Sequence, residues 1–116
     1  MSASRRSAAL HAAPVFAALG DTTRLRLVRR LSTEGPLSIT RLSDGSGMTR
    51  QAITRHLHAL GKAGLVRDTK EGREHVFSLD LKRLEVARQY LDYVSAQWDA
   101  AAARLKAFVE EDEGQA

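Results

Sequence analysis

The hydrophobic pattern of the sequence changes its period at a single residue, Gly64. Before this glycine, Ile53, Leu57 and Leu60 recur at three- and four-residue steps, the spacing of a helix that is buried along one side. Thr49 is a favourable N-cap for this helix, since its hydroxyl can accept a hydrogen bond from a free amide of the first turn. Gly64 suits the left-handed position that follows a helix. The sequence therefore predicts an amphipathic helix between Thr49 and Gly64.

The residues after this helix alternate with a period of two. The segments LVRDT and EHVFSL predict two short strands, and KEGR between them predicts a hairpin loop that contains a glycine. His75, Phe77 and Leu79 fall on one face of the second strand, because successive side chains of a strand point to opposite faces. The sequence therefore predicts a β-hairpin directly after the helix.

Three shorter helices are predicted upstream. Residues 8–19 form the first, and Asp21 caps the second, whose sequence is DTTRLRLVRRL. The buried stripe of this second helix is expected at Leu25, Val28 and Leu31. Ser38 is a suitable N-cap for a short third helix, and SDGSGM at 43–48 has the composition of a turn. The turn leads directly into the amphipathic helix.

A long last helix is predicted over residues 81–109, which contain no glycine or proline. Its apolar residues step by three and four, as in a heptad seam: Leu84, Ala87, Leu91, Val94, Trp98, Ala101, Leu105 and Phe108. Such a helix would be about 44 Å long, more than a small domain can cover. The seam could pack within the chain, but its length favours a homodimer. The expected dimer contacts are Leu10, Phe16, Leu84, Leu91, Val94, Trp98, Leu105 and Phe108.

Length and composition limit the class of protein. With 116 residues, the chain supports one domain, expected at 8–110 between a flexible N-terminal tail at 1–7 and an acidic tail at 111–116. The absence of cysteine excludes disulfides and thiolate metal sites. The longest nearly apolar run, at 12–19, is too short to span a bilayer, and the N-terminus lacks the apolar core of a signal peptide. We therefore expect a cytoplasmic protein without a membrane partner.

The charge is unevenly distributed. Residues 1–79 carry 13 Lys and Arg against 6 Asp and Glu, whereas residues 80–116 carry 5 against 8. No acidic residue lies between Asp44 and Asp68, and this window includes four basic residues. A basic first part is what a polyanionic partner requires, although a solvated cationic face would have the same composition.

The order of these elements is typical of a winged helix-turn-helix. Two helices are joined by a turn that contains glycine, the second helix is basic on its outer face, and a basic hairpin follows it. The expected fold is mainly α with a small β-hairpin wing (α+β), and the expected partner is double-stranded DNA, read in the major groove by the second helix of the pair. The candidate DNA-contacting residues of this recognition helix are Thr49, Arg50, Gln51, Thr54, Arg55 and His58. The candidate phosphate contacts are Ser38, Arg41, Lys62, Lys70 and Arg73.

Other functions are less well supported by the sequence. His56 and His58 do not face each other on a helix, whereas a helical zinc pair needs a spacing of four residues. No Gly-x-Ser-x-Gly elbow, phosphate-cradling loop or metal cluster is present, so we expect no enzyme, no metal site and no cofactor. A winged-helix adaptor that binds proteins, or a non-specific architectural DNA-binding protein, remains the alternative.

Three segments resemble the ArsR-type (ArsR/SmtB) winged-helix transcriptional regulators: LGDTTRLRLVRRL, LSITRLSDGSGMTRQAITRHLHALGKAGLV and KEGREHVFSLD. The resemblance implies a homodimer, built from the first and last helices, that binds an inverted-repeat operator as a repressor and is released by a signal. It also implies that His56 is a buried helix histidine.

The sequence departs from the metal-sensing members of that family. The third helix, SITRLSD, has no Cys-x-Cys motif, and residues 81–116 contain no histidine. The chain therefore resembles the metal-independent branch, whose last helix carries a stretch such as WDAAAARL, here at 98–105. Trp98, Tyr90 and Tyr93 could line a site between subunits for a small-molecule effector of unidentified chemistry, although such aromatics more often belong to a core or an interface.

Overall fold

The computed structural model describes residues 2–115. Its helices are α1 (Ser2–Leu19), α2 (Thr22–Glu34), α3 (Ile39–Ser43), α4 (Arg50–Lys62) and α5 (Leu81–Gln115). Its strands are β1 (Leu37–Ser38), β2 (Val66–Glu71) and β3 (Glu74–Leu79). The prediction of a mainly helical fold with a small β-hairpin is confirmed.

The three strands form one antiparallel sheet in the order β1-β3-β2. In the hairpin, Val66 pairs with Leu79 and Glu71 pairs with Glu74, which leaves a two-residue loop. The loop is shorter than the predicted KEGR segment, and its glycine, Gly72, has a φ of 63°. The sequence did not predict β1, because a two-residue strand is too short to show a period and is defined by its pairing with β3.

The three predicted N-caps are confirmed, and they set the starts of α2, α3 and α4. The Asp21 carboxylate accepts from the amide of Arg24 at 3.0 Å. The Ser38 hydroxyl accepts from the amide of Arg41 at 3.2 Å. In the same way, Thr49 caps α4. Each cap satisfies one of the free amides that every helix N-terminus exposes.

The core lies where α2, α3 and α4 meet the sheet and the first turns of α5. Its fully buried large side chains are Leu42, Ile53, Leu57, Leu60, Leu65 and Val15. The predicted stripe of α4 is therefore confirmed. The predicted stripe of α2 is wrong at one position: Leu25 is 52% exposed, and Leu27, at 4%, is buried in its place. Both leucines are equally apolar, so the pattern of α2 alone fits either phase, and packing against α4 selects Leu27.

The first and last helices are longer than predicted. α1 begins at Ser2 and α5 continues to Gln115, whereas the sequence predicted tails at 1–7 and 111–116. Alanine, arginine and glutamate are strong helix formers, and neither tail contains a proline. Both segments are therefore helical over their described residues, and the outermost residue of each lies outside the described part of the chain.

The end of α4 is a Schellman closure, with Gly64 in the left-handed position that the sequence predicted. The amide of Gly64 donates to the carbonyl of Gly61 at 3.0 Å, and the amide of Leu65 donates to the carbonyl of Leu60, also at 3.0 Å. Gly64 has a φ of 77°, a conformation that residues with a Cβ rarely adopt. This glycine therefore turns the chain from α4 into the wing.

We expect Gly64→Ala to lower the free energy of unfolding by about 1–2 kcal/mol, because alanine is strained at this positive φ. The added Cβ would also lie 2.8 Å from Cγ of Arg83. Thermal unfolding followed by circular dichroism should then show a melting temperature lower by roughly 4–8 °C or more. Gly61→Ala is the matched control, because Gly61 lies inside α4 and its Cβ would meet Val66 only at an ordinary 3.9 Å. That change should stabilise the protein by up to about 1 kcal/mol. Equal effects of the two substitutions on the melting temperature would contradict the role of Gly64 as the residue that needs a positive φ.

The heptad seam of α5 divides into two parts. Ala87 is buried and Leu84 is half-buried against the core of the same chain. Phe16 of α1 also packs within the chain, with its ring centroid 6.1 Å from that of Tyr90. The other predicted contact residues are 43–74% exposed: Leu10, Leu91, Val94, Trp98, Leu105 and Phe108. The second half of α5 thus carries an apolar face with no covering element among the described residues.

Candidate nucleic-acid interface

The outer face of α4 carries the predicted DNA-contacting side chains. The residues of this face are all exposed: Thr49, Arg50, Gln51, Thr54, Arg55 and His58. On the opposite side of α4, three buried residues anchor it in the core. A helix that is fixed on one side and polar on the other can enter a major groove about 12 Å wide.

The two threonines of this face use their hydroxyls within α4. Thr49 accepts from the amide of Ala52 at 3.1 Å, and Thr54 donates to the carbonyl oxygen of Arg50 at 2.7 Å. Because a hydroxyl has one proton, Thr54 is left with its methyl group and a free lone pair for contacts outside the helix. The methyl group suits a thymine methyl, whereas a hydrogen bond donated to a phosphate would require the Arg50 contact to break.

The cationic groups of this face are available for a ligand. Within the described residues, no carboxylate forms an ion pair with Arg50, Arg55 or Lys62. Lys62 lies at the C-terminal end of α4 and lines a cavity of about 320 Å³ between this helix and the wing, together with His58 and Asp68. Free guanidinium groups can donate two parallel hydrogen bonds to a guanine edge, and a lysine can approach a phosphate.

The other predicted phosphate contacts lie at two places. Ser38 and Arg41 lie at the start of α3, where the Ser38 hydroxyl serves as the N-cap and the Arg41 side chain is exposed. Lys70 and Arg73 lie at the far end of the wing and are exposed. The three charged side chains are therefore accessible, at separate points around α4.

The wing is less basic than expected. Arg67 donates to the Asp80 carboxylate at 3.2 and 3.3 Å, and Asp68 pairs with Nδ1 of His75 at 2.8 Å. Two glutamates face each other beside the loop, since Glu71 pairs with Glu74. The expectation of a basic hairpin holds only for Lys70 and Arg73. The sequence did not reveal the ion pairs, because their members are separated by seven and thirteen residues.

His56 lies at the contact between α4 and the start of α2. It is partly buried, and its Nδ1 lies 3.8 Å from Oδ2 of Asp21. The backbone amide of Arg24, with a smaller contribution from the neighbouring His56 and Arg24 side chains, holds the pKa of the Asp21 carboxyl below its ordinary value. Asp21 therefore remains an ionised cap, and His56 contributes to the contact between the two helices instead of facing a ligand.

The structure also shows a contact between α2 and α3 that the sequence did not predict. Arg30 of α2 donates to the carbonyl oxygens of Arg41 and Leu42 at 3.3 Å, and it pairs with Glu34 at 2.8 Å. The four-residue spacing of Arg30 and Glu34 could have indicated the ion pair. The carbonyl contacts could not have been found in this way, since they join residues eleven and twelve positions apart.

Neither a metal-binding cluster nor a membrane-spanning helix is found among the described residues. Among them, no group of three His, Cys, Asp or Glu side chains is placed to hold a metal ion. No helix in the described part of the chain is both long enough and apolar enough to cross a membrane. His11, which the sequence assigned to no site, has its Nδ1 2.8 Å from the carbonyl oxygen of Ser7.

Three features define a winged helix-turn-helix protein of the DNA-binding class. They are the turn between α3 and α4, the exposed polar face of α4 and the hairpin that follows this helix. A helix-turn-helix domain family matches residues 19–69. The HTH-type transcriptional regulator Rv2034 of Mycobacterium tuberculosis is 39% identical over 75 residues, which are 65% of this chain and 69% of that protein. The arsenical resistance operon repressor of Escherichia coli is 37% identical over 59 residues, which are 51% and 50% of the two chains.

The solved structures agree with these relatives. An ArsR-like transcriptional regulator from Rhodococcus sp. RHA1 superimposes with a TM-score of 0.74 at 34% identity, covering 85% of this chain and 92% of that one. The chain belongs to the ArsR family of winged helix-turn-helix transcriptional regulators. It is therefore a DNA-binding transcriptional regulator and not an enzyme.

Proposed function

We propose that the protein is a homodimeric repressor that binds an inverted-repeat operator in double-stranded DNA. The observation that carries this proposal is the exposed polar face of α4, whose arginines form no ion pair among the described residues. Arg50 and Arg55 match the acceptors of guanine, Gln51 matches adenine, and His58 can donate to a base or a phosphate. Repression is supported by the name of the E. coli relative, an operon repressor.

A homodimer is supported by the exposed apolar face in the second half of α5. Trp98 is 74% exposed, and Leu91, Leu105 and Phe108 are each more than half exposed on the same seam. Removing apolar surface from water contributes about 25 cal/mol per Å² of buried area. Burial of this face therefore favours association with a second copy. A two-fold dimer would place two α4 helices in successive major grooves, with half-sites separated by about 10 bp or a multiple of it.

The proposal does not include a metal. The known metal sites of the family need cysteines in the third helix or paired Asp and His positions on the last helix, and neither set is present in this sequence. The inducing signal would instead be an effector of another kind. A groove of about 420 Å³ between α1 and α5, lined by Tyr90, Tyr93 and His11, offers space for a small molecule. The proposed location is the cytoplasm, where the operator is accessible.

The direct test is fluorescence anisotropy with DNA from upstream of the protein's own gene. Scrambled DNA of equal length serves as the control, at about 150 mM salt, where non-specific binding is weak. A preference of about 10³-fold or more for one site would establish sequence-specific regulation. Equal, salt-sensitive binding to both DNAs would favour an architectural role, and no binding to either would favour the protein-binding adaptor.

We expect Lys70→Ala to weaken binding to all DNA sequences by a similar factor, because a phosphate contact carries no sequence information. The slope of log K against log salt should become shallower by about 0.9, the change for one lost phosphate contact. Lys106→Ala is the matched control, since it removes the same charge on the second half of α5, where Lys106 lies 4.0 Å from Glu110. A loss confined to the preferred site, or an unchanged slope, would contradict the role of Lys70.

A further inference from the structure

We propose that Arg30, oriented by Glu34, is a positioning residue that holds the turn before α4 in its DNA-reading geometry. Its Nη1 donates to the carbonyl oxygens of Arg41 and Leu42, at 3.3 Å each. These carbonyls belong to the last turn of α3, where helix carbonyls lack partners within the helix. Arg30 thus joins α2 to the end of α3. The inference rests on the function proposed above and concerns how the surface of α4 is oriented.

The other carbonyls of α3 find their partners locally. The carbonyl of Thr40 accepts from the amide of Asp44 at 3.0 Å, and that of Ile39 accepts from the Ser43 hydroxyl at 2.8 Å. The carbonyl of Ser43 accepts from the amide of Ser46 at 3.1 Å. Arg41 and Leu42 are the positions at which a residue from another helix supplies the donor. Arg30 therefore completes the hydrogen bonding of this short helix.

Glu34 fixes the orientation of the Arg30 guanidinium. Oε2 of Glu34 accepts from Nε at 2.8 Å, and Oε1 accepts from Nη2 at 3.4 Å. This charge-assisted pair also holds the pKa of the Glu34 carboxyl below its ordinary value. With Nε and Nη2 directed at the carboxylate, the planar guanidinium has Nη1 left to point at α3. The ion pair and the carbonyl contacts therefore act together.

The turn that Arg30 supports needs such a contact. It contains two glycines with positive φ, Gly45 at 69° and Gly47 at 73°, and glycine is conformationally permissive. Ser46 closes the turn, because its hydroxyl donates to the carbonyl of Ser43 at 2.7 Å and accepts from the amide of Met48 at 3.1 Å. α4 begins immediately afterwards. A small displacement of this turn would therefore move the first reading side chains of α4.

The rival role for Arg30 is a direct phosphate contact, and the two roles predict opposite effects of Glu34→Gln. If Arg30 contacted a phosphate, removing the negative charge of Glu34 would free its guanidinium and raise the affinity for all DNA. If Arg30 is a positioning residue, losing the carboxylate releases the guanidinium from α3 and lowers the affinity for the preferred site. The sign of the change thus separates the two roles.

The first experiment compares Glu34→Gln with the unchanged protein by anisotropy on the preferred site and on scrambled DNA. We expect the preference for the site to fall roughly tenfold, the range set by losing one or two hydrogen bonds, with binding to scrambled DNA unchanged or slightly stronger. Glu74→Gln is the control, because it removes the same charge from the wing and should raise both affinities. Arg30→Lys keeps the charge but not the planar fork, and it should show the same loss of preference at an unchanged salt slope. An unchanged or higher preference in Glu34→Gln would overturn the proposal.

The second experiment needs no DNA, so it distinguishes failure of this inference from failure of the proposed function. Hydrogen exchange should be several-fold faster in Glu34→Gln at the amides of Asp44, Ser46 and Met48, with α5 amides unchanged. Unchanged exchange at these three amides would overturn the positioning role whatever the DNA results. Faster exchange in a protein with no preferred DNA site would support the role while refuting the proposed operator.

Discussion

Leu91→Asp is expected to yield a folded monomer in light scattering, at concentrations where the unchanged protein is a dimer. Leu91 is 52% exposed in the single chain, so an aspartate there remains hydrated and should leave the domain intact. At the centre of a subunit interface, the same carboxylate would be buried without a partner, which costs several kcal/mol. The substitution therefore opposes association much more strongly than folding.

The monomer should also lose most of its affinity for the operator. The affinity of two linked half-site contacts exceeds that of either single contact by about 10²–10⁴-fold, so the loss of affinity should lie in that range. Ala96→Asp is the matched control, because this substitution introduces the same charge at an exposed residue on the side of α5 opposite the seam. If Leu91→Asp remained a dimer, or if both variants became monomers, the second half of the seam would not be the interface.

The exposed seam also shows where the sequence pattern was informative. The steps of three and four predicted one continuous face on α5, and the helix does present it. The pattern could not show that Ala87 is buried within the chain while Leu91, one step further, is exposed, because that difference depends on which residues of other elements pack against each position. The division between core and surface along a helix is a tertiary property.

The structure around α4 was predictable because its signals are local. Thr49 and Gly64 set the ends of the helix by capping and by a positive φ, and both act on neighbouring residues. The buried stripe follows from a single unambiguous phase. In α2, by contrast, Leu25 and Leu27 offered two phases of equal hydrophobicity, and only contacts with other helices select between them.

The exposed face of α4 was predicted residue by residue, whereas the contacts that orient it were not. Residue type and phase are sufficient to place Arg50 or Arg55 on an outer surface. The contacts of Arg30 with α3, and of His56 with Asp21, join elements separated along the chain. A single sequence carries no distance information of this kind, so the support of the reading face becomes visible only in the structure.

The second large effect is expected for Arg55→Ala, which should weaken the preferred site and relax its sequence preference. A bidentate contact between arginine and guanine is worth about 1–3 kcal/mol of discrimination, so the preference should fall roughly 5- to 150-fold. The exposed guanidinium of Arg55 has no ion pair among the described residues, and its loss should not affect the fold. Anisotropy on a set of operators with single base-pair changes would locate the position at which the preference is lost.

Lys62→Ala provides the comparison for this result, because it removes the same charge from the C-terminal end of the same exposed face. A phosphate contact should weaken all operators alike and make the salt slope shallower by about 0.9, whereas a base contact should change the ranking of the operators. If Arg55→Ala lowered every affinity equally and left the preferred site unchanged, Arg55 would be a phosphate contact. The bases would then be read by other side chains of α4, such as Arg50 and Gln51, whose substitution should change the ranking instead.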